Sequence, residues 1–182
     1  MKLLAFSGST RKDSVNSKLI NVVASMAKEL TMEVTVIHLE DFPLPLFDED
    51  LEKKVLVPDN VKLLRELIDS HDLLVISTPE YNGSVPAVLK NTIDWLSRDH
   101  KFMPMRSAFL LSASPSPYGA ARAIKHLSDI LSSIRVKIMP KQFSLPNAFT
   151  AFDTTGELLD PLHKNEILDT LKSFAPQAEA EK

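Results

Sequence analysis

A chain of 182 residues, with 44% hydrophobic and 25% charged residues, is long enough to build one domain with a complete core. Its formal net charge of -3 gives no electrostatic reason to expect nucleic acid or an anionic membrane as a partner. The absence of cysteine excludes disulfides, thiolate metal sites and cysteine nucleophiles, and it is consistent with a cytoplasmic location.

Short apolar runs alternate with helical patterns along the chain. The runs predict β-strands at 3–6, 34–37, 73–77, 107–112 and 136–139. The first run ends at Ser7 and is shorter than the roughly 7–15 apolar residues of a signal peptide, so a strand is the better interpretation. Apolar residues at three- and four-residue spacing predict the helices, with Ser14 or Asn16 capping the first and Pro86 in the first turn of a later one.

Helical patterns also cover 119–132 and 163–174. Residues 39–58 are acidic and proline-containing, and they predict a long connection. Residues 177–182 predict a frayed tail, which leaves 1–176 as a single domain.

About five alternations of strand and helix predict an α/β fold, a doubly wound five-stranded parallel sheet with helices on both faces. For a chain of this length, the strand order 2-1-3-4-5 is the economical arrangement. Strands 1 and 3 are then neighbours whose connections leave toward opposite faces. The loops after strands 1, 3 and 4 are therefore expected to converge on one ligand-binding crevice.

The loop after strand 1 is rich in groups that bind anions. It offers several hydroxyls, the Asn16 amide, the Arg11 guanidinium and free N–H groups at a helix start, as a phosphomonoester requires. It lacks the glycines and the Lys-Ser/Thr pair of the common nucleotide loops, which favours a monophosphate. An N-capped helix after a polar turn explains the same residues about equally well.

The loop after strand 3, residues 79–86, predicts a rigid turn that presents backbone groups to a heteroaromatic ring. Pro79 and Pro86 stiffen its ends, and Asn82-Gly83 is a turn signal whose backbone approaches a ligand closely. An ordinary proline-bounded turn is the competing interpretation. The five histidines lack metal-binding spacing, so no metal site is expected.

With both loops placed, the chain resembles the NADPH-dependent FMN reductase family, a flavodoxin-like group that includes quinone, chromate and azo-dye reductases. The resemblance is carried by segments 8–17, 44–51, 79–86 and 89–95. It implies that the FMN phosphate is held by Ser9, Arg11, Ser14, Asn16 and Ser17, with Thr10 also among the cofactor-binding residues. It implies contacts to the ribityl chain and ring edge from Pro79, Glu80, Tyr81, Asn82 and Gly83, and to the pyrimidine side from Ser114 and Gly119.

The resemblance also implies an activity. Hydride passes from NADPH or NADH to bound FMN and then, in a ping-pong scheme, electrons pass to a quinone, azo compound, metal oxyanion or free flavin. The flavin carries the chemistry, so no catalytic side chain is expected. A flavodoxin-type electron carrier and a non-redox phosphoryl-ligand binding protein are the alternatives. A homodimer or homotetramer is implied, and apolar residues that either join subunits or pack in the core are Phe42, Leu44, Leu46, Phe47 and Trp95.

Overall fold

The structure is a computed structural model that describes residues 1–55, 57–99 and 106–174. Within these residues the strands are β1 (Lys2–Ser7), β2 (Glu33–His38), β3 (Leu73–Thr78), β4 (Ser107–Ala113), β5 (Lys137–Ile138) and β6 (Phe143–Leu145). The α-helices are α1 (Val15–Glu29), α2 (Glu49–Val55), α3 (Asp59–Asp69), α4 (Ala87–Leu96), α5 (Ala121–Ser133) and α6 (Pro161–Lys172). A short 3-10 helix, Leu39–Asp41, follows β2.

The strands form one parallel sheet in the order β2-β1-β3-β4-β5, with β6 also beside β4. The predicted doubly wound fold and strand order are confirmed. In the register, Ser7 aligns with Ser77, and Thr78 aligns with Ser112. The carboxyl ends of β1, β3 and β4 therefore reach the same edge of the sheet.

Alternate strand residues build two apolar layers, one on each face of the sheet. Leu3 and Ala5 pack in the layer that α1 and α6 cover, whereas Leu4 and Phe6 pack in the layer that α3, α4 and α5 cover. Every residue of β3 is buried. This double coverage explains why that strand is a continuous apolar run in the sequence.

The fifth strand position differs from the predicted single strand at 136–139. β5 pairs with the start of β4, and β6 pairs with its end. Pro140 lies between them and has no N–H to continue the ladder. Two short strands therefore pair with the same edge of β4. The second of them, β6, pairs with the end of β4 that lies at the crevice.

The predicted connection at 39–58 contains a helix, α2, that was not predicted from the sequence. The Asp48 carboxylate accepts hydrogen bonds from the N–H groups of Asp50 and Leu51, both at 2.8 Å. An aspartate in this position caps the first turn of a helix. The prolines and acidic residues of this segment therefore pointed to a connection, although the segment contains a capped helix of seven residues.

The described residues carry no helix with the length and apolarity that crossing a membrane requires. The predicted frayed tail at 177–182 lies outside the described residues. The domain bounds of 1–176 stay a prediction.

Candidate functional site

Three loops at the carboxyl edge of the sheet enclose a cavity of about 120 Å³. They follow β1, β3 and β4, so the structure brings them together as predicted. Eight predicted cofactor-binding residues line the cavity, namely Ser9, Arg11, Ser14, Asn16, Pro79, Glu80, Tyr81 and Ser114. The other five lie outside its lining, on the same loops or in the first turn of α1, and are Thr10, Ser17, Asn82, Gly83 and Gly119.

Hydroxyl groups organise the loop after β1. The Ser7 hydroxyl accepts a hydrogen bond from the Ser9 N–H at 3.1 Å, and the Ser9 hydroxyl accepts one from the Arg11 N–H at 3.3 Å. The Ser14 hydroxyl accepts the Asn16 N–H at 3.2 Å and caps α1. Of the two caps considered from the sequence, Ser14 is therefore the one used. Two of the hydroxyls that were predicted as phosphate ligands, those of Ser9 and Ser14, therefore also hold the loop in shape.

Several backbone N–H groups in the loop after β1 and at the start of α1 have no hydrogen-bond acceptor among the described residues. Among the described residues, none accepts a hydrogen bond from the N–H groups of Thr10, Lys12, Val15 or Ser17. The last two lie in the first turn of α1, which carries no acidic residue. Unused donors at a helix N-terminus attract an anion, and the helix dipole adds to that attraction. Arg11 lines the cavity beside them and forms no ion pair with another described residue.

Asn16 joins the loop after β1 to the two neighbouring strands. Its Oδ1 accepts the Ser77 hydroxyl at 2.7 Å and the Ala113 N–H at 2.9 Å, and its Nδ2 donates to the Ala113 carbonyl at 2.9 Å. The residue is only 1% exposed. One buried amide thus ties the start of α1 to the ends of β3 and β4. A contact between Asn16 and a phosphate stays a prediction.

Residues 81–84 form a two-residue hairpin turn in the loop after β3. Tyr81 and Ser84 exchange N–H···O hydrogen bonds of 2.9 and 3.1 Å. Between them, Asn82 and Gly83 have φ angles of 51° and 78°. Positive φ at both positions is the type I′ geometry that Asn-Gly favours, so the turn signal in the sequence is confirmed. The N–H groups of these two residues have no acceptor among the described residues.

The Glu80 carboxylate lies against the N-terminus of α5. Its Oε2 accepts the Ala123 N–H at 3.3 Å, and its Oε1 lies 3.6 Å from Nη1 of Arg122. The residue before this helix, Ala120, is left-handed and provides no side-chain cap. Capping of α5 therefore accounts for the carboxylate without a role in proton transfer.

Gly119 is required by the packing of the loop after β4. Its φ is +57°, and a Cβ there would lie 3.0 Å from backbone atoms of residues 144–146. Its N–H donates to the Ser116 carbonyl at 3.3 Å, and its carbonyl accepts the Ser112 hydroxyl at 2.5 Å. Both polar backbone groups are thus engaged within the protein. The predicted approach of Gly119 to a ring stays a prediction.

Four residues that line the cavity were not predicted from the sequence, namely Val15, Ala113, Pro115 and Phe149. Phe149 comes from the segment after β6, which the Ala148 N–H ties to the Ser114 carbonyl at 3.0 Å. Phe149 is 70% exposed, and Tyr81 is 54% exposed. The sequence held no specific signal for Phe149, because single exposed apolar residues are common on protein surfaces.

The arrangement fits a phosphorylated planar ligand that is larger than the cavity. One end supplies unused N–H donors and the charge of Arg11. The other end supplies the exposed rings of Tyr81 and Phe149, and the hairpin turn of Asn82 and Gly83 follows Tyr81 just outside the cavity lining. Ligand pockets typically have roughly 300–1,000 Å³. A cavity of about 120 Å³ therefore suits one end of such a ligand, with the remainder over the open crevice.

Both the sequence and the fold resemble those of known reductases. The family model described as NADPH-dependent FMN reductase matches residues 1–150. An NAD(P)H-dependent FMN reductase of Pseudomonas aeruginosa is 34% identical over 178 residues, which cover 96% of this chain and 93% of that protein. An NADPH:quinone oxidoreductase of Arabidopsis thaliana is 31% identical over 177 residues, which cover 96% and 90%. The structure of FerB, a flavoenzyme NAD(P)H:(acceptor) oxidoreductase of Paracoccus denitrificans, matches with a TM-score of 0.79 and 28% identity, covering 96% of this chain and 94% of FerB.

Proposed function

The chain belongs to the NADPH-dependent FMN reductase family, and from this membership we propose how its three loops divide the work of binding. The protein is an FMN-dependent NAD(P)H oxidoreductase, with FMN as cofactor and NAD(P)H as donor. When bound, FMN supplies the redox chemistry between the donor and a small-molecule acceptor. The chain itself binds and orients the cofactor and stabilises the negative charge that develops on it.

The loop after β1 holds the FMN phosphate in this proposal. The observation that carries it is the set of N–H donors at the capped start of α1 that have no acceptor among the described residues, beside Arg11, which forms no ion pair with any of them. A phosphate needs many donors, and a charge-assisted hydrogen bond contributes about twice as much as a neutral one. The hydroxyls of Ser9 and Ser14 accept hydrogen bonds from the loop itself and so remain able to donate to the phosphate.

The loop after β3 lies along the ring in this proposal. The free N–H groups of Asn82 and Gly83 are held in a fixed turn and act as donors to the polar edge of the ring. Fixed backbone donors stabilise negative charge without reorganising as that charge develops. Glu80 is committed to α5, so the residues that line the cavity offer no free carboxylate for acid–base work.

We assign a planar, uncharged acceptor of the quinone class to the open side of the crevice. The exposed rings of Tyr81 and Phe149 flank that side and offer stacking surfaces for a flat molecule. Azo compounds share this shape, whereas a metal oxyanion does not. Relative rates with these acceptors therefore test the assignment.

The test is an anaerobic titration of the purified protein saturated with FMN. NADPH and NADH are each added, and bleaching of the flavin absorbance is followed. The reduced protein is then mixed with a quinone, an azo dye, chromate or free FMN. Bleaching by at least one donor, with fastest reoxidation by the quinone, is expected. Bleaching by dithionite but by neither nucleotide would instead identify an electron carrier.

We also propose that the protein is a homo-oligomer in which Leu46 contacts a second copy. Leu46 is 78% exposed, although its neighbours are fixed: the Pro45 carbonyl accepts hydrogen bonds from Asn91 and Trp95 at 2.9 and 2.8 Å. The Phe47 N–H donates to Asn91 Oδ1 at 2.7 Å. An apolar side chain held outward by a rigid segment is suited to an interface.

The other interface candidates pack inward in the structure. Trp95 is fully buried in the core, and Phe42, Leu44 and Phe47 are partly buried and pack against the same core. They are therefore not the side chains proposed for the interface.

Leu46→Asp is expected to lower the molecular mass measured by light scattering after gel filtration. Leu162→Asp, at a leucine that is 75% exposed on α6, is the matched control and is expected to leave the mass unchanged. Equal masses for both variants and the wild type would remove Leu46 from the interface.

A cytoplasmic location and a single FMN-binding domain over 1–176 complete the proposal. The lack of cysteine supports the location. The family match over residues 1–150 and the continuous sheet support the single domain.

A further inference from the structure

Helix α5 receives its N-terminal cap from a different part of the chain. The first N–H groups of a helix need acceptors from outside it, and Ala120, which precedes α5, has no side chain that accepts. Glu80 supplies an acceptor from 43 residues away through its contact with the Ala123 N–H. A carboxylate at this position also interacts favourably with the helix dipole.

A second contact joins the same helix to the far end of the hairpin turn. His126 Nδ1 lies 3.0 Å from the Ser84 hydroxyl. Between the two contacts, the Arg122 Cδ lies 3.9 Å from where a Cβ on Gly83 would stand. Residues 81–84 are therefore held against α5 at both ends, immediately before and at the close of the turn.

We propose that Glu80 is a positioning residue for the cofactor: by capping α5 it fixes the turn to which the proposed function assigns the N–H donors for the ring. The inference rests on the proposed function for the identity of the ligand, FMN. In physical terms, the loop after β3 and helix α5, which follows β4, move as one unit. Glu80 acts through the turn and makes no contact with the ring.

The cap, rather than the ion pair, carries this effect. The Arg122 side chain is 72% exposed and its Nη1 stands 3.6 Å from the carboxylate, which is longer than a hydrogen bond. Exposed ion pairs of this kind contribute little, about 0–1 kcal/mol. The Glu80 side chain is 19% exposed, so the acceptor it offers to the Ala123 N–H is largely shielded from water.

The test compares Glu80→Ala, Glu80→Gln and Arg122→Ala with the wild type. Gln keeps an acceptor oxygen for the Ala123 N–H and loses the charge, so it separates capping from ion pairing. Asp160→Ala is the matched control, because the Asp160 carboxylate caps α6 by accepting the Leu162 N–H at 2.8 Å and does not line the cavity. It removes a helix cap of the same kind elsewhere.

Hydrogen–deuterium exchange of the FMN-free proteins is the first measurement. Glu80→Ala is expected to speed exchange of the Tyr81 and Ser84 amides about tenfold, the effect of losing one ordinary hydrogen bond of about 1.4 kcal/mol. Glu80→Gln and Arg122→Ala are expected to stay within about twofold of the wild type, and Asp160→Ala to leave these amides unchanged. Unchanged exchange in Glu80→Ala overturns the proposal, whether or not the protein binds FMN.

FMN affinity and the midpoint potential of the bound flavin are the second measurement. Glu80→Ala is expected to weaken FMN binding about tenfold and to make the potential more negative, because the N–H donors of the turn are no longer held in place. Glu80→Gln is expected to restore both values. A Gln variant as impaired as the Ala variant would mean that the charge itself acts on the ligand, and the positioning role would be wrong. Failure of the wild type to bind FMN would count against the proposed function. The exchange measurement would then still test whether Glu80 positions the turn.

Discussion

Replacing Asn16 with alanine is expected to destabilise the protein strongly, although the change is small. The side chain makes three hydrogen bonds, one with the Ser77 hydroxyl and two with the backbone of Ala113. Ser77 is 0% exposed and Ala113 is 1% exposed. Removal of the amide leaves a hydroxyl, an N–H and a carbonyl without their partners in a buried place.

The magnitude follows from those three orphaned groups. Each lost hydrogen bond costs about 1 kcal/mol, and each group left unsatisfied and buried costs up to about 3 kcal/mol. Alanine recovers about 0.5 kcal/mol because it is the better helix former. We expect a net loss on the order of 3 kcal/mol in the free energy of unfolding. For a chain of this size that corresponds to a melting temperature lower by about 6–12 °C.

The assay is urea unfolding of the FMN-free protein, followed by circular dichroism. Asn21→Ala is the matched control, because Asn21 lies on the same helix, is exposed, and gains the same helix propensity on substitution. The control is expected to be neutral or slightly stabilising. A difference of less than about 1 kcal/mol between the two variants would refute the reasoning, since three buried groups would then have found other partners.

Three further outcomes are expected. Arg11→Ala should weaken FMN binding about 30-fold, on the order of 2 kcal/mol, with unchanged helix content; unaltered affinity would leave only a capping role for the loop. Gly119→Ala should lower the free energy of unfolding by about 2 kcal/mol more than Gly156→Ala, since a Cβ at Gly156 meets nothing within 4 Å and both residues have positive φ. The Thr155 hydroxyl donates to Asp153 and lowers its pKa below the ordinary 3.8, so this stabilisation is complete above pH 3.8 and is lost as the pH falls through the folded-state pKa. Melting curves of Asp153→Asn should show less loss in acid than the wild type, and identical acid profiles would contradict this.

The fold and the placement of the site were accessible from the sequence because they depend on local patterns. Apolar runs located the central strands, and the serine at position 14 marked a helix start. The order of strands then followed from chain length and the geometry of crossovers, which placed three loops at one edge. Asn82-Gly83 specified its own turn type.

The parts that escaped prediction depend on contacts between distant residues. Asn16 meets Ala113 across 97 residues, and Glu80 meets Ala123 across 43. Nothing near either polar side chain in the sequence distinguishes a structural tie from a ligand contact. Phe149 reaches the cavity only because β6 pairs with the end of β4, a strand that Pro140 separates from the predicted one. Contacts between residues this far apart in the sequence can be recognised only when the positions of both residues in the fold are known.

The unused N–H groups of the two main loops have a consequence for how this site tolerates change. A backbone donor is present whichever side chain its residue carries, proline excepted, so most substitutions at Thr10 or Lys12 leave the donor in place. Inserting or deleting one residue between Ser9 and Ser14 moves the whole row of donors. We therefore expect the number of residues in each loop to constrain this enzyme more tightly than the identity of most of them.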